Sequence, residues 1–228
     1  MKVTDKLKQV GMSMASDVAT RLSGKSGEQP NTEDYVDLEL TEAIVKDWSA
    51  VSKHGAKEII EKYGLPDEAT PSRLIWYNNG PWKRTIVYRD EIPHEFPVPH
   101  TDAIEQFIDY RVPPEMFSAI AEFDGSIVAE RTNGEVSARC HMEAANFIAL
   151  NLMHDIVTGK INVQQARDQY AEIASAYTLN RTAPYAEGFQ FELPTGNTRD
   201  SDKATIGGAM AHQMAEKMKD MIGKDENQ

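Results

Sequence analysis

The run "PHEFPVPHTDAIE" (93–105) holds two histidines six positions apart, an aspartate two residues after the second, and a glutamate three beyond that. His94, His100, Asp102 and Glu105 are ligand types for a divalent metal, and such an ion would activate a bound water for hydrolysis. Pro97 and Pro99 fix their own φ and push Phe96 and Val98 towards extended conformations. At about 3.1 Å per residue in polyproline II, the six residues from His94 to His100 would span about 18 Å. A stiff, extended segment is therefore expected, with its two imidazoles too far apart to share a metal. His100 and Asp102 are placed differently, because alternate residues of an extended chain face the same way. Asp102 would then orient the His100 ring or join it at a metal, with Glu105 or a distant residue completing the set. The plainer alternative is a histidine at a strand start, with Asp102 capping a short turn.

Cys140 is the single cysteine, which excludes an internal disulfide framework and any multi-cysteine zinc site. It falls where a predicted strand meets a predicted helix. Helix N-termini and a neighbouring Arg139 favour a thiolate there, so Cys140 is a candidate nucleophile. Its base would have to be His94 or His100, since His141, the next residue, is expected to point away. A small buried hydrophobe is the favoured reading for a lone cysteine. Asn151, His154 and Asp155 share one helical face and form either a solvated stripe, which is favoured, or a pocket wall. Trp76, Tyr77 and Trp82 bracket a turn beside Lys83 and Arg84. They would either stack a ligand or hold a hairpin by cross-strand pairing.

These residues need elements to position them. Val3, Leu7, Val10, Met14, Val18 and Leu22 predict an amphipathic helix over 1–27, followed by a polar linker over 28–40. A helix from about Thr41 is expected to end at Gly64 and Pro66. "RLIWY" and "WKRTIVYR" read as strands around an Asn79-Gly80 turn, and "SIVAER" and "EVSARC" as strands around Thr132-Asn133-Gly134. "AIEQFIDYRV" alternates as a strand would, and Pro114 can open a helix closing at Asp124-Gly125. "HMEAANFIALNLMHDIVTG" is apolar nearly all round and is expected to be the most buried helix. Asn162 and Gln165 predict a capping box for the helix after it. Residues 179–202 read as irregular, and a last amphipathic helix is expected within 203–228. The sum is an α+β fold: an antiparallel meander of four or five strands packed on helices over 41–178, with a helical arm at each end.

The net charge of −12 argues against nucleic acid as partner, since that affinity rests on cations neutralising phosphates. The charge is uneven: both ends are basic and the body between them is acidic. Rows of small residues, Gly11-Ala15-Ala19 and Gly207-Ala211-Ala215, let helices approach closely, so self-association through the terminal helices is expected. Contact with a membrane surface is the less favoured account, because neither helix carries Trp or Phe. No apolar run is long enough to span a bilayer and no secretory h-region opens the chain, so a cytoplasmic location is expected. Dinucleotide-binding, Walker, HExxH, GxSxG and EF-hand signatures are absent from the sequence.

The stretches "KYGLPDE", "WYNNGPWKRTIVYRDE", "PHEFPVPHTD", "DGSIVAERTNGEVSARC" and "NFIALNLMHDIVTGK" resemble an uncharacterised bacterial family over about residues 58–171. The resemblance implies no activity or cofactor. It leads one to expect an acidic residue after the cysteine, where this chain has His141, and some of its members look exported. The helix ending in "KYGLPD" and running into an aromatic hairpin is also similar to small envelope-assembly lipoproteins with a β-lactamase-inhibitor-like fold.

Two functions follow. The favoured one is a non-catalytic binding or assembly protein, with His94, His100, Asp102, Trp76, Trp82, Arg84, Asn151 and His154 as its binding residues. The other is a hydrolase in which His100, Asp102 and Glu105 hold a divalent metal. An enzyme would gather His100, Asp102 and either Cys140 or His141 at one site; a binding protein has no such need.

Overall fold

The computed structural model describes residues 3–23 and 36–205, together with 208, 212, 213, 215 and 216. The chain divides into two compact units, Met1–Pro30 with Ser201–Gln228, and Asn31–Asp200. In the first, α1 (Val3–Ser23) carries Val10, Met14 and Val18 exposed at four-residue spacing, the expected stripe. Arg21 pairs with Asp17 one turn back at 2.9 Å. Most of the predicted linker and most of the predicted C-terminal helix lie outside the described residues. Of that helix, residues 208, 212, 213, 215 and 216 are helical and exposed, while 203–205 are not helical. Among the described residues, no helix is long and apolar enough to cross a membrane.

The second unit is α+β. The helix expected to run unbroken to Tyr63 is two, α2 (Leu38–Val45) and α3 (Ala50–Tyr63). Asp37 caps the first by accepting from the Leu40 amide, and Ser49 starts the second by accepting from the Ser52 amide. Trp48 fills the break, buried, with its indole donating to the Pro71 carbonyl.

Six strands follow: β1 (Glu68–Thr70), β2 (Arg73–Tyr77), β3 (Arg84–His94), β4 (His100–Asp109), β5 (Ile127–Glu130) and β6 (Glu135–Cys140). They form one antiparallel sheet in the order β1-β2-β3-β4-β6-β5. The strand beyond the four or five expected is β1, whose three residues are too short to show alternation. Both predicted hairpin turns are present. Gly80 and Gly134 have φ of +65° and +68°. A Cβ on Gly134 would sit 2.2 Å from the Thr198 carbonyl oxygen, so only glycine fits.

The register of β3 on β4 has a break. Arg84 to Val87 pair with Phe107 to Ile104, and Ile92 to His94 pair with Asp102 to His100. Residues 88–91 are thus left opposite Ala103 alone, a large bulge.

On β4 the even-numbered residues Asp102, Ile104, Gln106 and Ile108 are buried, and α3 and α5 (Glu143–Val157) cover the last three of them. Ile104 packs with Ala56 and Ile59 of α3, and Ile108 with Phe147 and Ile148 of α5. As expected, α5 is buried nearly all round, Leu152 and Ile156 included. A 3-10 turn at Pro114–Met116 leads into α4 (Phe117–Phe123), which Asp124 ends. Helix α6 (Val163–Thr178) begins with the predicted capping box, Asn162 and Gln165 exchanging bonds of 2.9 Å. A short α7 (Pro184–Glu187) interrupts the irregular segment that follows.

Candidate metal centre

The segment expected to be stiff and extended reverses instead. His94 ends β3, His100 begins β4, and the two are direct cross-strand partners with ring centroids 5.0 Å apart. Proline fixes φ but leaves ψ of its neighbours within a broad extended region, so two prolines are compatible with a turn. The Phe96–Pro97 peptide bond in that turn is cis. Phe96 anchors the turn from its tip. Its ring lies 5.1 Å from Tyr170 of α6 and 6.2 Å from Phe123 of α4, with the Arg167 guanidinium 4.0 Å above it.

Strand alternation then sets one face. His94 and His100 oppose each other, Asp102 is two residues along from His100, and Cys140 of β6 opposes Ile104. Three neighbouring strands thus supply His94, His100, Asp102 and Cys140 to one patch. His141 follows directly after the strand, and Asp124 enters from the end of α4. Asp102 and Cys140 are buried, and the side chains of His94 and His100 are 19% and 10% exposed.

The distances are short. His100 Nε2 lies 3.0 Å from Asp102 Oδ1 and 3.3 Å from Cys140 Sγ, and Sγ lies 3.4 Å from His141 Nδ1. His94 Nδ1 is 3.3 Å from Asp102 Oδ2, and its Nε2 is 3.7 Å from Asp124 Oδ1. Asp124 is itself held, its Oδ1 accepting from the Ser126 amide and hydroxyl. His100 Nδ1 donates to the Val98 carbonyl at 2.7 Å. Proximity is not pairing here: His94 Nδ1 and Asp102 Oδ1 are buried without an aligned hydrogen-bond partner.

The electrostatics follow from these contacts. Asp102, then Cys140, raise the His100 pKa to about 11 against the effect of burial. Burial pushes the Cys140 thiol up, contrary to the thiolate expected from its place before a helix. Burial, then the charge on His100, hold His141 below its ordinary value, a shift that favours the neutral, metal-ligating form.

Other predicted site residues lie elsewhere. Glu105 faces the opposite side of the sheet, where it accepts from the hydroxyls of Tyr88 and Ser137 at 2.7 Å each. Trp76 and Trp82 offer no stacking platform. Both are core residues, their indoles donating to the Gly64 carbonyl and to Glu143. Arg84 covers Phe107 and pairs with Glu135. The expected solvated stripe on α5 is instead an anchor for the segment after α6. Asn151, 1% exposed, donates to the carbonyls of Tyr185 and Gly188 and accepts from the Gln190 amide. Asp155 accepts from the Tyr185 hydroxyl, and His154 stacks on Phe191 at 4.1 Å and bonds to Tyr110.

Sequence reasoning missed Asp124, legible only as a helix stop. It named His141 among the residues an enzyme would gather with His100 and Asp102, but expected it to point away from Cys140, from whose Sγ its Nδ1 lies 3.4 Å. Glu143, buried, was also unremarked. Lys62, Tyr63, Trp82 and Gln106 all donate to it. Burial opposes its ionisation, but those bonds hold its pKa below the ordinary carboxylate value.

Among the described residues, two groups of three side chains have metal-ligating atoms within 4.8 Å of one another: His94, His100 and Asp102, and His100, Cys140 and His141. Four ligands at 2.0–2.3 Å from a tetrahedral ion stand about 3.3–3.8 Å apart. The contacts of 3.3 and 3.4 Å around Sγ fall in that range. Compared with family models, curated proteins and solved structures, the chain matches none.

Proposed function

We propose that this chain is a metal-binding protein, holding a divalent transition-metal ion at the cluster that has His100 at its centre. One observation carries the reading. Asp102 Oδ1 and Cys140 Sγ both crowd the same nitrogen, His100 Nε2, while the other ring nitrogen is spent on the Val98 carbonyl. A single proton on Nε2 serves one of these neighbours along its axis. An ion on Nε2 would replace that proton and be shared with His94 and Asp102 or with Cys140 and His141, and a backbone acceptor behind the ring is the usual support of a ligating histidine.

Nucleophilic catalysis fits less well. In an acid–base triad the carboxylate holds the nitrogen remote from the nucleophile. Here Asp102 and Cys140 approach the same one, and the thiol is buried with its pKa raised. The hydrolase reading with Glu105 loses that residue to the other face of the sheet. Two clefts among the described residues, one beside Tyr110 and Glu135 and one beside Ile44 and Trp48, lie away from the cluster. Binding is therefore favoured over turnover.

The test is metal content and thermal stability of the full chain purified without chelator. About one equivalent of zinc or a similar ion is expected, with a Tm that falls on chelation and recovers on readdition. His100→Ala is expected to abolish the bound equivalent. Metal content near zero, with no Tm response to added zinc, would reject the reading.

A further inference from the structure

Resting on that metal-binding reading, we infer that the cluster offers one ion two alternative seats that share His100, and that the softness of the ion decides which is filled. The two ligand groups overlap only at His100. The first seat, His94, His100 and Asp102, offers two imidazoles and a carboxylate, a set suited to harder ions such as manganese or ferrous iron. The second, His100, Cys140 and His141, includes a thiolate and suits zinc, cadmium or cuprous copper.

Each seat shows its own support. In the first, Asp124 lies behind His94 at Nε2, and the opposite nitrogen, Nδ1, is buried, unpartnered and 3.3 Å from Asp102. At 3.7 Å that carboxylate offers His94 charge but no hydrogen bond, and the opening to an ion rests on the orphaned Nδ1 beside Asp102. In the second, the sulfur stands 3.3 and 3.4 Å from two imidazole nitrogens. Simultaneous filling is blocked by His100. Its Nδ1 is committed to the Val98 carbonyl, so Nε2 is its one ligating atom.

Ion-specific variants separate the seats. Manganese binding is followed by loss of the free-ion paramagnetic resonance signal, and cadmium binding by the thiolate charge-transfer band in the ultraviolet. Cys140→Ser is expected to weaken cadmium at least about tenfold and leave manganese within about twofold. His94→Gln is expected to do the reverse. On the unaltered chain, cadmium is expected to displace manganese with one ion bound in total. Asp102→Asn, expected to follow His94→Gln, and His141→Gln, expected to follow Cys140→Ser, keep the test decisive if either first variant fails to fold.

Equal weakening of both ions by both variants would overturn the two seats in favour of a single five-residue site. Simultaneous binding of both ions would overturn the sharing of His100. Failure of the unaltered chain to bind either ion would overturn the metal-binding reading itself, a result distinct from the other two.

Discussion

His94 and His100 face each other across the end of the β3–β4 hairpin, although six positions and two prolines separate them in sequence. What brings them together is not in either residue. Phe96 at the turn is seated between α4 and α6, so the geometry of the cluster depends on an apolar contact one turn away from it.

Replacing that contact is the first test. Phe96→Ala is expected to cost less than the roughly 3–5 kcal/mol of a fully buried phenylalanine, because Phe96 is only half-buried. Its effect on zinc affinity is expected to exceed tenfold, since His100, common to both ligand groups, rides on the turn. Urea unfolding and zinc titration of the same variant check the two parts. An affinity unchanged despite lost stability would show that the turn is held by something else.

Glu105→Gln separates the two faces of the sheet. It removes charge from the acceptor of the Tyr88 and Ser137 hydroxyls and is expected to cost about 1 kcal/mol. Zinc affinity should stay within twofold of the unaltered chain. A loss beyond tenfold would return Glu105 to the site.

Glu143 sets an acid limit. Its folded pKa is depressed, so its contribution is fully present above the ordinary carboxylate pKa of about 4.3 and is lost as pH falls through the folded value. Glu143→Gln is expected to lower stability at pH 7 by roughly 1–3 kcal/mol, through weaker bonds from Tyr63, Trp82 and Gln106. Urea titrations from pH 7 down to about pH 3 should show the gap between variant and parent narrowing below about pH 4.3. A constant gap would mean that the carboxylate is not ionised in the fold.

Asn151→Ala tests the anchor of the segment after α6. The substitution leaves the Gln190 amide and the Tyr185 carbonyl without that partner, and the Gly188 carbonyl with the Gln190 side chain alone, at a cost of about 2–3 kcal/mol. Hydrogen exchange is expected to quicken across 184–193 and to stay unchanged in β4. Uniform quickening would indicate global destabilisation instead.

Local signals carried much of this fold. The capping box at Asn162, the glycine turns at Gly80 and Gly134, and the apolar circumference of α5 each depend on residues close together in the chain, and each appears as expected. Half the cluster was legible for the same reason, because alternation alone puts His100 and Asp102 on one side. The same alternation places Glu105 on the other side, three residues being an odd step, yet it was grouped with them by ligand type. Asn151 and Asp155 read as a wet stripe because partners that hold them, Tyr185, Gly188 and Gln190, lie thirty or more positions later. His94 and Asp124 join through a reversal and a helix end, neither of which period or propensity encodes.

The bulge at residues 88–91 gives the hairpin tip its own register, separate from that of the sheet body. Length changes on the two sides of His94 therefore differ in consequence. One residue gained or lost at 90–91, beyond the bonds that Tyr88 and Arg89 make to Arg73 and Ser72, can be absorbed where only Ala103 stands opposite, leaving 92–102 paired as before. One residue gained or lost within 95–99 has no such slack and turns one imidazole to the other side of the sheet. The site is thus written in spacing as much as in residue identity. Natural variation in this chain should tolerate insertions before the hairpin tip and purge them inside the turn, even where every histidine is kept.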